Sequence, residues 1–276
     1  MRRFLLGLYD KYMNYTSKNF QLHYLPSYKL LVKTDFINDT LLVLNAANEV
    51  EVLYSYPADM PDGEAVKLLG LPFQQVYINL PVQSLIFVPT EVFEEADKKH
   101  YQDFLLDDKS ERTNFLSIAA LEATACYQYD LLLHNRWRKI FPEAKFGTDF
   151  QTVLSQVQSF IPAAGTLVGV HVRDCQADIY AFVDNQFQMY STFEANVAGD
   201  LHYFILNTLK QVGTEGVADR LIVSGITKDD VRATGLVAYG KELHFMETRT
   251  AVRYPSALPS SQIEVLNTLI DAHLCE

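Results

Sequence analysis

Three consecutive β-type runs, followed by helix, strand, helix and strand, lie between Thr166 and Met246 and constrain the fold more than any other stretch. Leu167–Arg173 places Val168, Val170 and Val172 on one face at the two-residue period of a strand. Asp178–Val183 ends at Asp184 and Asn185, two residues that tolerate positive φ and suit a tight hairpin before Gln186–Tyr190. An antiparallel meander is the expectation. Val197, Leu201, Phe204, Ile205, Thr208, Leu209 and Val212 then recur at helical spacing up to Gly213, a helix stop. Leu221–Gly225 is short and apolar and reads as a central parallel strand; Asp229–Val237 reads as a weaker helix and Leu243–Met246 as a final strand. A strand that returns to its own sheet through a helix crosses over right-handedly, so few topologies survive.

The same order occurs earlier. Lys29–Lys33, Thr40–Leu44 and Val50–Tyr54 are β-rich runs joined by polar turns, followed by a short helix over Asp62–Leu69 and a strand over Gln75–Asn79. Ser84–Val88 is a further strand stopped by Pro89. Thr90–Leu105 predicts one or two helices with an exposed face, and Asp107–Thr113 a polar loop. Phe115–Tyr127 fits strand or helix, whereas Leu131–Phe141, Phe150–Phe160 and Ser261–Leu274 have helical spacing. Residues 1–27, rich in Tyr and Phe without a period, read as an arm packed on the body. Pro162–Gly165 is the expected boundary, dividing the chain into domains 1–163 and 164–276 with a ligand-accepting cleft between them.

The chain has 276 residues, and its 23 Lys and Arg against 34 Asp and Glu leave a formal net charge of −11. Such acidity disfavours nucleic acid and anionic membranes as partners. Cys126, Cys175 and Cys275 are odd in number and widely spaced, which fits neither a disulfide framework nor a zinc site and suits a reducing cytoplasm. The opening Met1–Leu8 mimics a leader, but Asp10 and Lys11 end the apolar run too early, and no later run is long enough to span a bilayer.

The duplicated meander-and-crossover order resembles the actin-like ATPase (ribonuclease H-like) fold of actin, sugar kinases, heat-shock chaperones and actin-like pilus-assembly proteins. The segments Val76–Phe93, Tyr190–Glu194 with Gly199–Phe204, Val223–Gly225 and Leu274–Glu276 are similar to an uncharacterised bacterial family, a domain of unknown function assigned to this fold. The resemblance covers nearly the whole chain. It implies a duplicated α/β architecture of two domains, and it brings no established activity with it.

In active members of the superfamily, the first hairpin of each half carries a glycine-containing Asp-x-Gly loop whose bare backbone approaches nucleotide phosphates. The corresponding loops here are Asp35–Thr40 and Arg173–Asp178, and neither contains glycine. The adenosine-contacting segment usually has two adjacent glycines; the similar position, Ser224-Gly225-Ile226, has one. On this resemblance the nucleotide-binding candidates are Asp35, Asn38, Thr40, Asp174, Gln176, Ser224 and Gly225. Asp35, Asp39, Asp174 and Asp178 could hold magnesium through waters, although Asp is first an ordinary turn residue. Arg173 beside Asp174 reads as an ion pair at a strand end. His171, within a strand, reads as a core histidine with an internal hydrogen bond. His134, Arg136, Trp137 and Arg138 read as a solvated basic face, and Cys175 as an inert thiol.

Two functions follow. The favoured one is a binding or scaffold protein on a degenerate actin-like fold, with no catalytic residue or metal and an unidentified protein partner. The glycine-free loops and the aromatics Tyr9, Tyr12, Tyr15 and Phe20 favour it. The alternative is a magnesium-dependent ATP-binding protein, an ATPase or kinase, that uses the interdomain cleft.

Overall fold

The computed structural model describes residues 14–105 and 111–275. Tyr9 and Tyr12 of the aromatic arm, the leader-like start, Asp107–Ser110 of the polar loop and the terminal Glu276 lie outside the described residues. In chain order the strands are β1 (Tyr15–Thr16), β2 (Lys29–Thr34), β3 (Asn38–Leu44), β4 (Val50–Pro57), β5 (Gln75–Leu80), β6 (Ser84–Pro89), β7 (Glu111–Ile118), β8 (Ala123–Asp130), β9 (Lys145–Thr148), β10 (Thr166–Arg173), β11 (Gln176–Val183), β12 (Gln186–Glu194), β13 (Ala218–Ser224) and β14 (Gly240–Phe245). The helices are α1 (Gly63–Leu69), α2 (Lys98–Gln102), α3 (Leu131–Ile140), α4 (Asp149–Val157), α5 (Ala198–Gln211), α6 (Ser260–Glu264) and α7 (Asn267–Asp271). They form the α/β actin-like architecture, with two mixed sheets that each begin in a meander and continue through crossovers.

The chain divides into two compact units, one comprising the chain up to Pro81, Leu131–Thr152 and the chain from Thr248, the other Val82–Asp130 and Val153–Glu247. Each unit draws on both sides of residues 163–164, the expected boundary.

The first unit is built on a sheet ordered β1-β4-β3-β2-β5-β9. Leu31, Leu42 and Leu53 stand directly opposite one another across β2, β3 and β4. This row packs under Leu258, Ile263, Leu266, Leu269 and Ile270, so the chain's last segment closes the core of its first meander. The opposite face takes α3, whose Trp137 is fully buried and donates from Nε1 to Thr34 Oγ1 at 3.0 Å. Leu30, Leu31 and Val32 are therefore all buried, as a strand covered on both faces requires. The described part of the arm packs on this unit: Tyr15 pairs with Leu53, and Phe20 stacks on Tyr28 with ring centroids 5.6 Å apart.

The second unit has a sheet ordered β12-β11-β10-β13-β14. Val168, Val170 and Val172 share one face, as their period requires, and pack with Ile179, Leu221 and Val223 against Leu201, Ile205 and Leu209 at four-residue intervals along α5. β13 runs parallel to both β10 and β14, the central position its apolar run indicated. Asp184 and Asn185 both have positive φ, 49° and 66°, in the expected tight hairpin. A separate sheet, β6-β8-β7, has Val88, Leu105 and Cys126 as its own small core.

The structure corrects several local expectations. Asp229–Val237 forms two short 3-10 turns, Val231–Ala233 and Leu236–Tyr239, because Gly235 at φ 82° breaks the backbone between them. Thr90–Leu105 holds two 3-10 turns and the five-residue α2. The ambiguous Phe115–Tyr127 resolves into β7 and β8, reversed at Glu122, whose φ is 51°. The expected C-terminal helix is interrupted and becomes α6, α7 and a 3-10 turn over Ala272–Leu274. β9, four residues with a central glycine and no alternation, carries no sequence signal of its own.

Candidate functional site

The first-unit hairpin between β2 and β3 is closed by its own carboxylate. Asp35 Oδ1 accepts from the backbone N–H of Ile37 at 2.6 Å and of Asn38 at 2.5 Å, and Asp35 N–H donates to Asn38 O at 3.2 Å. This is an Asx turn, the ordinary structural use of aspartate in a hairpin. An anion bound by these two N–H groups would have to displace a carboxylate already bonded to them. Asn38 thus serves the turn through its backbone, and Thr40 Oγ1 donates to Ser55 Oγ on β4 at 3.2 Å.

Behind the turn, Asp39 is almost fully buried and holds a polar network. Arg136 Nη2 reaches Asp39 Oδ1 at 2.8 Å and Oδ2 at 3.0 Å, and Thr34 Oγ1 donates to Oδ1 at 2.5 Å. Arg136 also donates to Thr34 Oγ1 at 2.9 Å and to the Ala58 carbonyl at 3.1 Å. Burial pushes the Asp39 carboxyl above the ordinary range; the Thr34 hydrogen bond and the Arg136 charge pull it back in part. The expected solvated basic face is accordingly corrected. His134 and Trp137 are buried, Arg136 is committed to Asp39, and Arg138 donates to the carbonyls of Pro142 and Ala144 while covering the Phe146 ring.

In the second unit, Arg173 and Gln176 pair across a two-residue turn made by Asp174 and Cys175, with Asp174 at φ 43°. The Asp174 carbonyl accepts from Arg232 Nη1 at 2.8 Å. Arg173 pairs with Asp178 at 2.7 Å. Thr192 donates to the same Asp178 oxygen at 2.7 Å, and burial, with the Asp178 charge, holds the Tyr190 hydroxyl well above its usual range. Asp178 is buried among these partners. Cys175 is exposed in the turn.

Ser224 and Gly225 end β13. Ser224 Oγ shares a hydrogen bond with His171 Nδ1 at 2.9 Å, and both side chains are buried, which is the internal bond expected for His171. Gly225 has φ 80°, and a Cβ there would overlap the Val172 carbonyl oxygen, so close backbone approach explains this glycine. The candidates therefore lie in two groups: Asp35, Asn38 and Thr40 at one hairpin of the first unit, and Asp174, Gln176, Ser224 and Gly225 in the second. Among the described residues, no three His, Cys, Asp or Glu side chains are grouped as a metal ion's ligands would be.

A pocket of about 200 Å³ opens in the first unit, along β5 and β9. Asn79, Gln151, Thr152 and Cys275 contribute its polar groups, and Tyr77 with Lys145 above its ring forms a wall. Gly147 lines it as well; a Cβ there would sit 3.4 Å from Asn79 Oδ1, at van der Waals contact. Gln151 Oε1 accepts from both the N–H and the hydroxyl of Thr148 at 2.9 Å, and Asn79 Nδ2 donates to Asp149 Oδ1 at 3.1 Å. Sequence alone misses this pocket because it depends on β9 and on the chain's last residues. The Cys126 thiol is pushed up to about 11, chiefly by burial, which leaves it un-ionised and poorly nucleophilic.

Comparison with known proteins agrees with this architecture. Residues 63–242 match the model of a family described as "Protein of unknown function (DUF3822)". A protein of unknown function with an actin-like ATPase fold from Bacteroides thetaiotaomicron superposes with a TM-score of 0.66 at 17% identity, covering 82% of this chain and 93% of that one. PilM, in the PilM-PilN type IV pilus biogenesis complex, superposes with a TM-score of 0.57 at 10% identity, covering 90% and 96%. At these identities the likeness is one of fold. No curated protein is significantly similar to the chain.

Proposed function

The chain belongs to the DUF3822 family, and we propose that it works as a binding or scaffold module for a protein partner on an actin-like fold whose phosphate loops have become structural. The observation that carries this reading is Asp35. Its carboxylate takes the backbone N–H groups of Ile37 and Asn38, the donors a phosphate would need at that hairpin. The second hairpin supports the same reading, because its arginine serves the buried Asp178 within its own sheet. One fold neighbour, PilM, is known in complex with a protein, which makes a protein partner a reasonable use of this architecture. Among the described residues, no helix is long and apolar enough to cross a membrane.

Calorimetric titration of the purified chain with ATP and ADP, with and without magnesium, tests the proposal. No heat at millimolar nucleotide from folded protein is the expected result. Saturable, magnesium-dependent binding that is lost in Asp35→Ala or Asp174→Ala would overturn it in favour of an ATPase or kinase.

A further inference from the structure

The pocket along β5 and β9 contains two side-chain amides whose unused atoms are of opposite kind. Tyr77 and Asn79 on β5 stand directly opposite Lys145 and Gly147 on β9, so these four residues share one sheet face. Gln151 and Thr152 of α4 close one side, and Cys275, whose thiol lies 3.7 Å from Thr152 Oγ1, lines it from the chain's last residues. Asn79 is only 3% exposed. Its Nδ2 donates to Asp149 Oδ1, and because a carboxylate oxygen accepts, that bond fixes which way the amide faces and leaves Oδ1 beside Gly147. Gln151 is fixed in the reverse sense: its Oε1 accepts from the Thr148 N–H and hydroxyl, which leaves the Nε2 donor. Among the described residues, no hydrogen bond reaches Asn79 Oδ1 or Gln151 Nε2. The two amide oxygens lie 3.4 and 3.8 Å from the point that a Gly147 Cβ would occupy, so one small molecule can reach both amides.

The pocket holds about 200 Å³. A cavity of about 150 Å³ takes benzene, so a six-membered ring with a substituent fits. Ile78, Phe146, Ala272 and the Tyr77 ring make the rest of its lining largely apolar. An inorganic anion or a carboxylate offers acceptors alone and would face Asn79 Oδ1 with the Asp149 carboxylate behind it. A cation offers Gln151 Nε2 nothing and meets the Lys145 ammonium, which stands 5.4 Å from the centre of the Tyr77 ring. A neutral molecule with one donor and one acceptor satisfies both amides. We propose that this pocket binds a small neutral ring molecule carrying an N–H beside a C=O, a cyclic amide or ureide, whose N–H donates to Asn79 Oδ1 and whose carbonyl accepts from Gln151 Nε2. Neither hairpin loop takes part, so the site goes beyond the scaffold reading and stands whether or not nucleotide binds.

The test titrates the full chain with the lactam 2-piperidone and with N-methyl-2-piperidone, which has the same ring and carbonyl but no N–H. Side-chain amide spectra should show saturable shifts at Asn79 and Gln151 with millimolar lactam, and the N-methyl compound should bind about tenfold more weakly or worse, because it leaves a buried acceptor unpaired. Gln151→Glu keeps the oxygen that serves Thr148 and removes the donor, and Ala272→Phe fills the pocket. Each should weaken lactam binding by about tenfold or more, with urea midpoints showing that the variant is folded. In a Cys175→Ser background, bound lactam should slow alkylation of Cys275, which lines the pocket. Equal binding of the two compounds, lactam affinity unchanged in either variant, or no saturable shift at Asn79 and Gln151 in the folded wild type would each overturn the assignment. If a variant fails to fold, the comparison of the two compounds on the wild type decides. The nucleotide titration is read separately: magnesium-dependent ATP binding would remove the scaffold reading and leave this site in place.

Discussion

The Tyr180 ring lies over Gly169, its partner across β10 and β11, and occupies the space a Cβ at position 169 would need. The pair fills the interior of the second-unit sheet with one aromatic ring against bare backbone. Stacking of Tyr180 on Tyr190, at 5.8 Å between centroids, holds the ring from the other side. Gly169→Ala should therefore destabilise the chain by about 2–3 kcal/mol through overpacking. Tyr180→Phe should be neutral or slightly stabilising, because the buried hydroxyl finds no hydrogen-bond partner among the described residues. Urea unfolding of the two variants checks both.

Removing the guanidinium from Asp39 should cost more than an ordinary surface pair. Arg136→Met leaves a buried carboxylate without its countercharge, and a loss of about 3 kcal/mol near neutral pH is expected. The sign of the pH dependence follows from Asp39, which burial already pushes upward. Without Arg136 its folded-state pKa rises further above the unfolded value, so the variant gains a proton on folding. Its deficit should shrink as pH falls and grow as pH rises through the folded-state pKa. Denaturation midpoints of wild type and variant at mildly acidic and neutral pH measure this.

Asp35→Ala should cost about 1 kcal/mol, because two backbone donors lose their acceptor in an exposed turn where water can replace it. It should also expose those N–H groups to anions. In amide spectra titrated with inorganic phosphate, shifts at Ile37 and Asn38 are expected in the variant and not in the wild type.

The thiols should react in a defined order. Cys175 is exposed in a hairpin turn, whereas Cys126 is fully buried and its thiol is pushed up to about 11. A disulfide reagent should modify Cys175 rapidly in the native protein and Cys126 only on unfolding. The rapid phase should disappear in Cys175→Ser.

Local chemistry made much of the fold legible. Val168, Val170 and Val172 alternate because successive side chains of a strand face opposite ways, and Leu201, Ile205 and Leu209 repeat because a helix returns to one face every four residues. Asp184 and Asn185 tolerate positive φ and mark their hairpin. Where local preference was weak the reading failed, as at Asp229–Val237 and at β9, whose Lys145-Phe-Gly-Thr148 becomes a strand only by pairing with β5.

What the chain by itself determined is the order of its elements, the faces they bury and the absence of glycine from both hairpin loops. Tertiary structure alone decided the partners of the charges. Arg136 looked like part of a solvated face, yet it lies against Asp39, 97 residues earlier, because the packing of α3 on the first sheet brings them together. Asp178 pairs with Arg173, five residues earlier, because the antiparallel register turns Asp178 into the same buried cluster as Thr192 and Tyr190. Periodicity is a property of neighbouring residues and can be read along the chain; charge pairing and burial depend on which distant segments share a sheet face, and that is set only when the sheets assemble.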